Sequence, residues 1–247
     1  MNKKIAIITD SGSDLNDKFA KKYNIKIIPL RMTFSNNIYR DRVEITSNEF
    51  YELLEKEIPK TSLPSVKDIL CVLDSLKAEG YTDVLYVGIS SAMSGTLNFV
   101  DIIGHEYEGL NFYSFDSRTL ACAQRVLVIE AIKELERSGD IDRIKTHLFK
   151  IRQEMTALLT VGSLKYLYRG GRISRTASTV GNLLHINPII TVNDKGKFEV
   201  IGKSIGVQRA IDSIIKDIKS NLIPQVLLYC LSTNSIVIIT NDEITIK

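Results

Sequence analysis

The amino-acid sequence predicts an α/β protein with two domains: a doubly wound, mostly parallel sheet domain over residues 1–150 and a smaller α+β domain over residues 151–247. Short apolar runs alternate with amphipathic helical patterns through the first part, which is typical of a parallel sheet covered on both faces. The second part contains a hairpin signal at residues 193–197 (Asn-Asp-Lys-Gly-Lys), followed by an amphipathic helix. These observations together define the predicted fold class.

The first strand and its turn place polar side chains at one end of the predicted sheet. The run Lys4–Ile8 indicates a strand, and Thr9–Asp14 interrupts it before a helix that extends to about Lys22. Asp10 and Ser11 are residue types that cap helices and form turns. They also lie at the carboxyl end of a strand, where open α/β sheets bind ligands. We expect a capping or turn role first and a place in a ligand pocket second.

Two capping boxes predict the starts of the next two helices. Thr46 is followed three residues later by Glu49, and Ser65 is followed in the same way by Asp68. In each pair the hydroxyl and the carboxylate satisfy backbone N–H groups at the helix start. The second helix is predicted over residues 66–79.

The segment between these helices predicts a rigid loop with two spare hydroxyls. After a second strand at residues 25–30 and the first of the two capped helices, residues 59–65 read Pro-Lys-Thr-Ser-Leu-Pro-Ser. Neither Thr61 nor Ser62 is needed as a helix cap. Both hydroxyls are therefore available for a ligand.

The stretch around which the chain is organised is the apolar run Val84–Ile89 and the hydroxyl-rich loop Ser90–Thr96. The run predicts a buried parallel strand. A helix follows the loop, and its N-terminus offers N–H groups and the positive end of the helix dipole. We therefore expect the loop Ser90–Thr96, which includes Ser91, Ser94, Gly95 and Thr96, to form a cradle for a small anion.

The remaining elements continue the alternation and then change character. Phe112–Phe115 predicts a strand that ends in Asp116, and amphipathic helices follow over Leu120–Ser138 and Ile141–Glu154. Beyond them, Ala157–Val161 predicts a strand of the second domain.

A glycine pair and an arginine form a second candidate anion site. Gly170 and Gly171 permit close backbone approach, and Arg172 supplies a planar positive fork suited to a carboxylate or phosphate. The run precedes a helix predicted from Thr176 to about Leu184. A surface ion pair for the arginine and a helix-entry turn for the glycines are the alternatives.

Composition narrows the function classes. A net charge of +3 with 25% charged residues gives no basic footprint for nucleic acid. The sequence has no apolar run of membrane-spanning length and no signal peptide, and its three cysteines are widely spaced. We expect a cytoplasmic location, no integral membrane segment and no nucleic-acid partner.

Cofactor motifs do not occur in the sequence. His105, His147 and His185 have no second ligand at metal-binding spacing, so we expect no metal site. The sequence also has no phosphate loop and no dinucleotide fingerprint. We expect no cofactor, and no nucleotide held by this chain alone.

A serine hydrolase acting on acyl esters is the alternative function. Gly88-Ile89-Ser90-Ser91-Ala92 nearly matches a nucleophile elbow at a strand-to-helix turn, with Ala in place of the last Gly. Ser90 or Ser91 would be the nucleophile, with Asp116 and either His147 or His185 completing a triad.

Five motifs in order resemble the DegV family and cover about residues 4–210. They are Thr9-Asp10-Ser11, Thr61-Ser62-x-Pro64-Ser65, Ile89-Ser90-Ser91-x-x-Ser94-Gly95-Thr96, Asp116-Ser117 and Leu167-x-x-Gly170-Gly171-Arg172-Ile173. The resemblance implies a two-domain bacterial protein that binds a long-chain fatty acid in a tunnel between its domains. Carried over by position, Thr61 and Ser94 would hold the carboxylate, with Thr96 and Arg172 as neighbours.

The resemblance also implies a partner. Some family members are the fatty-acid-binding, non-catalytic subunit of a fatty acid kinase, in which a separate ATP-binding protein phosphorylates the presented carboxylate. The residues after Pro224 depart from the family pattern, with no His after His185 and no Gly-Pro-Gly-like segment. We therefore expect the C-terminus to be truncated or altered. The consequence would be either impaired transfer of the fatty acid to a kinase or a degenerate family member that is kept for interaction or is no longer functional.

Overall fold

The structure is a computed structural model that describes residues 3–35, 37–173, 186–221, 226–230, 235–239 and 244–246, with side chains described through residue 217. It divides into two compact units, Met1–Arg152 and Gln153–Lys247.

The first unit contains a four-stranded sheet in which every pair of neighbouring strands is parallel. The strand order is β2-β1-β6-β7, formed by Lys26–Ile28, Ile5–Asp10, Asp83–Gly88 and Asn111–Asp116. All residues of β1 and β6 are buried. This burial explains why neither strand alternates between polar and apolar residues, with polar side chains only at the end of β1 (Thr9 and Asp10) and at the start of β6 (Asp83).

Six helices are described in this part of the chain, and the last of them runs past Arg152, where the first unit ends. They are α1 Asp17–Lys22, α2 Ser47–Lys56, α3 Val66–Ala78, α4 Thr96–Glu106, α5 Ala121–Ser138 and α6 Ile141–Glu154. Side chains of α3 and α4 share a core with Ile8, Tyr86 and Phe112 on one face of the sheet. Helix α5 packs against β1 and β6 as well. The doubly wound prediction is confirmed.

The local helix signals in the sequence are confirmed. Both capping boxes form, with the Thr46 hydroxyl accepting from the Glu49 N–H and the Ser65 hydroxyl accepting from the Asp68 N–H. Helix α5 ends at Gly139, which adopts the left-handed conformation that favours glycine.

A three-stranded antiparallel sheet in the first unit corrects the predicted loop over residues 59–65. Strands β3 Arg31–Phe34, β4 Asn37–Arg40 and β5 Lys60–Ser62 pair in the order β4-β3-β5. Three residues of the expected loop therefore form an edge strand, because the open edge of β3 supplies backbone partners for it. The second predicted strand, residues 25–30, is also shorter, since only Lys26–Ile28 pair with β1.

The second unit is built on a mixed sheet with the strand order β10-β9-β8-β11-β12-β13. Its strands are Phe198–Ile205, Ile186–Val192, Thr156–Thr160, Val226–Cys230, Ser235–Ile239 and Ile244–Ile246 in that order. The predicted hairpin is confirmed as β9–β10. Helix α8 (Val207–Asn221) packs Ala210 and Ile214 against this sheet, and the short helix α7 (Lys165–Arg169) precedes the glycine pair. The predicted helix 176–184 lies outside the described residues.

Candidate functional site

The candidate site lies at the edge where parallel strands β1, β6 and β7 end. Asp10 is the last residue of β1, Gly88 ends β6 and Asp116 ends β7. The carboxyl ends of parallel strands meet at one sheet edge, which is the usual ligand position in such folds. The motifs that the sequence singled out in residues 9–11, 89–96 and 116–117 are therefore brought together.

Asp10 is the buried centre of this edge. One carboxylate oxygen accepts from the Tyr86 hydroxyl (2.7 Å), the Ile89 N–H (2.8 Å) and the Gln124 amide (3.2 Å). The other accepts from the Gly12 N–H (3.0 Å). Asp10 thus caps the turn after β1, as expected, and also fixes the first residue of the loop after β6.

The protonation states in this cluster follow from burial. Burial raises the pKa of the Asp10 carboxyl, and the hydrogen bonds from its four donors oppose that rise. Burial and the nearby Asp10 charge raise the pKa of Tyr86 well above its usual value. The phenol therefore stays protonated and donates to the carboxylate. Sequence reasoning did not identify Tyr86 or Gln124, because they are 76 and 114 residues from Asp10.

Ser11, the second candidate residue in the turn after β1, is also buried, and it hydrogen-bonds the backbone. Its hydroxyl accepts from the Leu30 N–H at 3.1 Å, which ties the turn after β1 to the chain leaving β2. It also hydrogen-bonds the Asp41 carboxyl, whose pKa is raised by burial.

The first two serines of the organising loop have different surroundings. Ser90 is fully buried, and its N–H donates to the Thr119 carbonyl (2.9 Å). Ser91 is exposed, and its hydroxyl donates to the Asp116 carboxylate at 2.6 Å while its N–H faces the other oxygen at 3.3 Å. The carboxylate of Asp116 thus fastens the loop after β6 to the end of β7.

The end of the same loop forms a compact hydroxyl pair. The Ser94 and Thr96 hydroxyl oxygens are 2.8 Å apart, and the Thr96 N–H donates to the Ser94 oxygen at 3.2 Å. Thr96 is fully buried, whereas Ser94 is half-buried. Helix α4 begins here with Gly95 as its exposed N-cap residue, which supplies no capping side chain.

The Thr61-Ser62 motif lies near the loop Ser90–Thr96 because the next residue, Leu63, lies beside Gly95. Thr61 and Ser62 are exposed on β5, opposite Met32 and Arg31 of β3. The Leu63 side chain lies 3.6 Å from the position that a Cβ on Gly95 would take. The end of β5 therefore lies beside the Ser94–Thr96 pair.

The glycine-arginine motif belongs to the second unit. Gly170 ends helix α7, and Gly171 has a φ of 74°, a conformation that favours glycine. Arg172 is exposed, and its guanidinium donates to the Gly170 carbonyl. Its N–H donates to the Leu167 carbonyl at 3.0 Å, so the motif forms a compact turn.

The histidines do not join a serine in the described part of the chain. His147 pairs with Glu130 at 3.1 Å, and His105 lies 3.4 Å from Asp101. His185 lies outside the described residues. Residues 3–35, 37–173 and 186–217 contain no group of three His, Cys, Asp or Glu side chains arranged to hold a metal ion. No helix in the described part of the chain is both long and apolar enough to cross a membrane.

The fold and the site together define an α/β protein of two units that presents clustered hydroxyls at the edge of a parallel sheet. A family model described as "Uncharacterised protein, DegV family" matches residues 4–233. A DegV domain-containing protein of Clostridium acetobutylicum is 38% identical over 219 residues, covering 89% of this chain and 78% of the relative. The chain belongs to the DegV family.

Solved structures of similar fold extend the comparison. A fatty-acid-binding DegV family protein from Thermus thermophilus is 28% identical with a TM-score of 0.78, covering 88% of this chain and 77% of that protein. A stearic-acid-binding protein from Eubacterium ventriosum is 27% identical with a TM-score of 0.76, covering 88% and 76%. The predicted family and fold class are confirmed.

Proposed function

We propose that this protein binds a long-chain fatty acid, whose carboxylate is held by the hydroxyls of Thr61 and Ser94. Thr96 and Arg172 support the head group in this proposal, and the acyl chain occupies the tunnel that the family resemblance implies. The observation that carries it is the Ser94–Thr96 hydroxyl pair at the start of α4. The fatty-acid-binding structures of similar fold support the ligand class.

The geometry of the pair suits an acceptor ligand. If the buried Thr96 hydroxyl donates to Ser94, the Ser94 proton points elsewhere and can be donated to a carboxylate. Hydrogen bonds to charged groups are stronger than those between neutral groups. The hydroxyls then orient the head, while burial of the chain supplies affinity at about 0.8 kcal/mol per CH₂ group.

The remaining candidates receive supporting roles. Asp10, Ser11 and Ser91 hold the loops in place through their own hydrogen bonds. Gly95 lies at the start of α4 beside Leu63. For Ser62, Gly170 and Gly171 we propose places at the rim of the head-group site.

We also propose that the two units act as domains, 1–150 and 151–247, and that a separate ATP-dependent kinase phosphorylates the presented carboxylate. The protein would then be a non-catalytic cytoplasmic subunit without a cofactor of its own. The absence of a phosphate loop from the sequence supports this division of labour.

Native mass spectrometry of the purified protein, followed by denaturing lipid extraction, tests the binding proposal. We expect one long-chain fatty acid per chain. A folded protein that is empty and also fails to bind added palmitate would overturn it.

ADP formation tests the division of labour. We expect ADP only when the loaded protein, ATP and a bacterial fatty acid kinase are combined. ADP produced by the loaded protein and ATP alone would contradict a non-catalytic role.

A further inference from the structure

A cleft lies in the first unit, between the start of α3 and the segments that contain strands β3 and β4. Its volume is about 430 Å³, within the usual range of small-molecule sites. Three cations, Arg31, Arg40 and Lys67, line it together with the carboxylates of Glu44 and Asp68. None of these side chains has a role in the proposed fatty-acid site.

A buried carboxylate builds the charged end of this cleft. Asp68 is only 8% exposed, and one of its oxygens accepts from Arg31 Nε (3.1 Å), Arg31 Nη2 (2.7 Å) and the Ser65 hydroxyl (2.7 Å). Burial alone would raise the pKa of Asp68, but the hydrogen bonds from Ser65 and Arg31 lower it below its usual value. The carboxylate is therefore ionised and holds the Arg31 guanidinium rigidly.

The cations exceed what these carboxylates neutralise. Arg31 and Arg40 are directly opposite on antiparallel strands, a placement that is destabilising for like charges. Arg40 pairs with Glu44 at 3.0 Å, but lies 3.7 Å from Asp68, which is too long for a hydrogen bond. Among the described residues none pairs with the Lys67 ammonium group. The lining therefore carries three positive and two negative side chains, and its net charge of about +1 can attract an anion.

The rest of the lining is apolar. It consists of Pro29, Val43 and Val72 beside the exposed thiol of Cys71, and Val43 is 59% exposed. An inorganic ion would leave these apolar side chains in water, whereas a ligand with an apolar body would cover them.

We propose that this cleft is a second ligand site, which binds a small organic anion carrying a phosphate monoester or a carboxylate on an apolar body. The anionic head lies between Arg40 and Lys67, and the body lies against Val43 and Val72. The hydrogen bonds between Arg31 and Asp68 fix the positions of the side chains at the charged end of the cleft.

Cys71 provides a built-in reporter for the test. The full chain is labelled with N-ethylmaleimide, and the rate at the Cys71 peptide is followed by mass spectrometry with phenyl phosphate, benzoate or inorganic phosphate present. We expect phenyl phosphate or benzoate to slow labelling at least fivefold, and whichever protects identifies the head group. Absence of protection by both, or equal protection by inorganic phosphate, would overturn the proposal.

Charge variants locate the binding. Arg40→Gln and Lys67→Gln should each raise the concentration needed for half-protection about tenfold, while Lys18→Gln, which removes the same charge from exposed helix α1, should leave it unchanged. Lys67 is exposed, so its variant remains informative if Arg40→Gln fails to fold. Unchanged protection in Lys67→Gln, an equal effect in Lys18→Gln, or protection by benzoate or phenyl phosphate that weakens tenfold in Ser94→Ala would each refute a separate site.

Discussion

Replacing Ser94 with alanine tests the head-group assignment most directly. The substitution removes the oxygen that lies 2.8 Å from the Thr96 hydroxyl and accepts the Thr96 N–H. It also removes the donor proposed for the fatty-acid carboxylate. The first consequence affects the stability of the fold and the second affects ligand binding, so they can be measured separately.

The expected magnitudes follow from the kinds of hydrogen bond. A bond to a charged group contributes roughly 1.5–3 kcal/mol, which corresponds to about 10- to 150-fold in affinity. The buried Thr96 hydroxyl loses its partner, and an unsatisfied buried hydroxyl costs about 1–3 kcal/mol. The variant should therefore be somewhat less stable and should bind a fatty acid at least tenfold more weakly.

Calorimetric titration of delipidated protein with laurate and with dodecanol separates the two effects. Because dodecanol has no carboxylate, its affinity should change less than threefold in Ser94→Ala. Ser75→Ala is a matched control, since its hydroxyl donates to Glu79 on the surface of α3. Equal losses for laurate and dodecanol, or an unchanged laurate affinity, would refute the role of Ser94.

Three further substitutions test the fold. In Gly104→Ala the new Cβ would lie 2.4 Å from the Phe112 ring, so the free energy of unfolding in urea should fall by about 1–3 kcal/mol; no loss would contradict this packing. Thr46→Ala removes the cap of α2 and should cost about 1 kcal/mol, with Ser47→Ala as the adjacent control. Hydrogen bonds from Lys26, and then from Asn24 and Ser75, lower the pKa of Glu79 to about 2. The stability that Glu79 contributes is thus present above its ordinary pKa and lost as pH falls towards 2. In Glu79→Gln the free energy of unfolding measured in urea should depend less on pH between pH 5 and 2. An unchanged pH dependence would refute this role of Glu79.

Local signals account for most of the fold that could be predicted from sequence. The capping boxes at Thr46 and Ser65 depend on residues three apart, and both form. The buried strands β1 and β6 each contain an unbroken run of at least four apolar residues and are flanked by turn residues. Such features are visible in a short window of sequence because their partners lie within it.

The small antiparallel sheet could not be predicted in this way. Strand β5 is three exposed residues long, and Thr61 pairs with Met32. A segment so short and polar has no periodicity, and its conformation depends on the open edge of a distant strand. The rigid-loop prediction failed for this reason.

The site was predictable in its residue types but not in its connections. The sequence indicated hydroxyls at 90–96 and a polar turn at Asp10, but it left the role of Asp10 open. That role depends on Tyr86 and Gln124, which only the folded sheet brings to its carboxylate. The Leu63–Gly95 contact likewise follows from tertiary structure.

The sheet order β2-β1-β6-β7 has a consequence for synthesis on the ribosome. Strand β1 has β2 as an early neighbour, but on its other side Ile5 pairs with Asp83, which is translated 78 residues later. At about 5–20 residues per second, the nascent chain keeps one edge of a strand that begins with four apolar residues unpaired for roughly 4–16 seconds. During that interval the apolar residues of β1 are exposed to solvent and open to a chaperone.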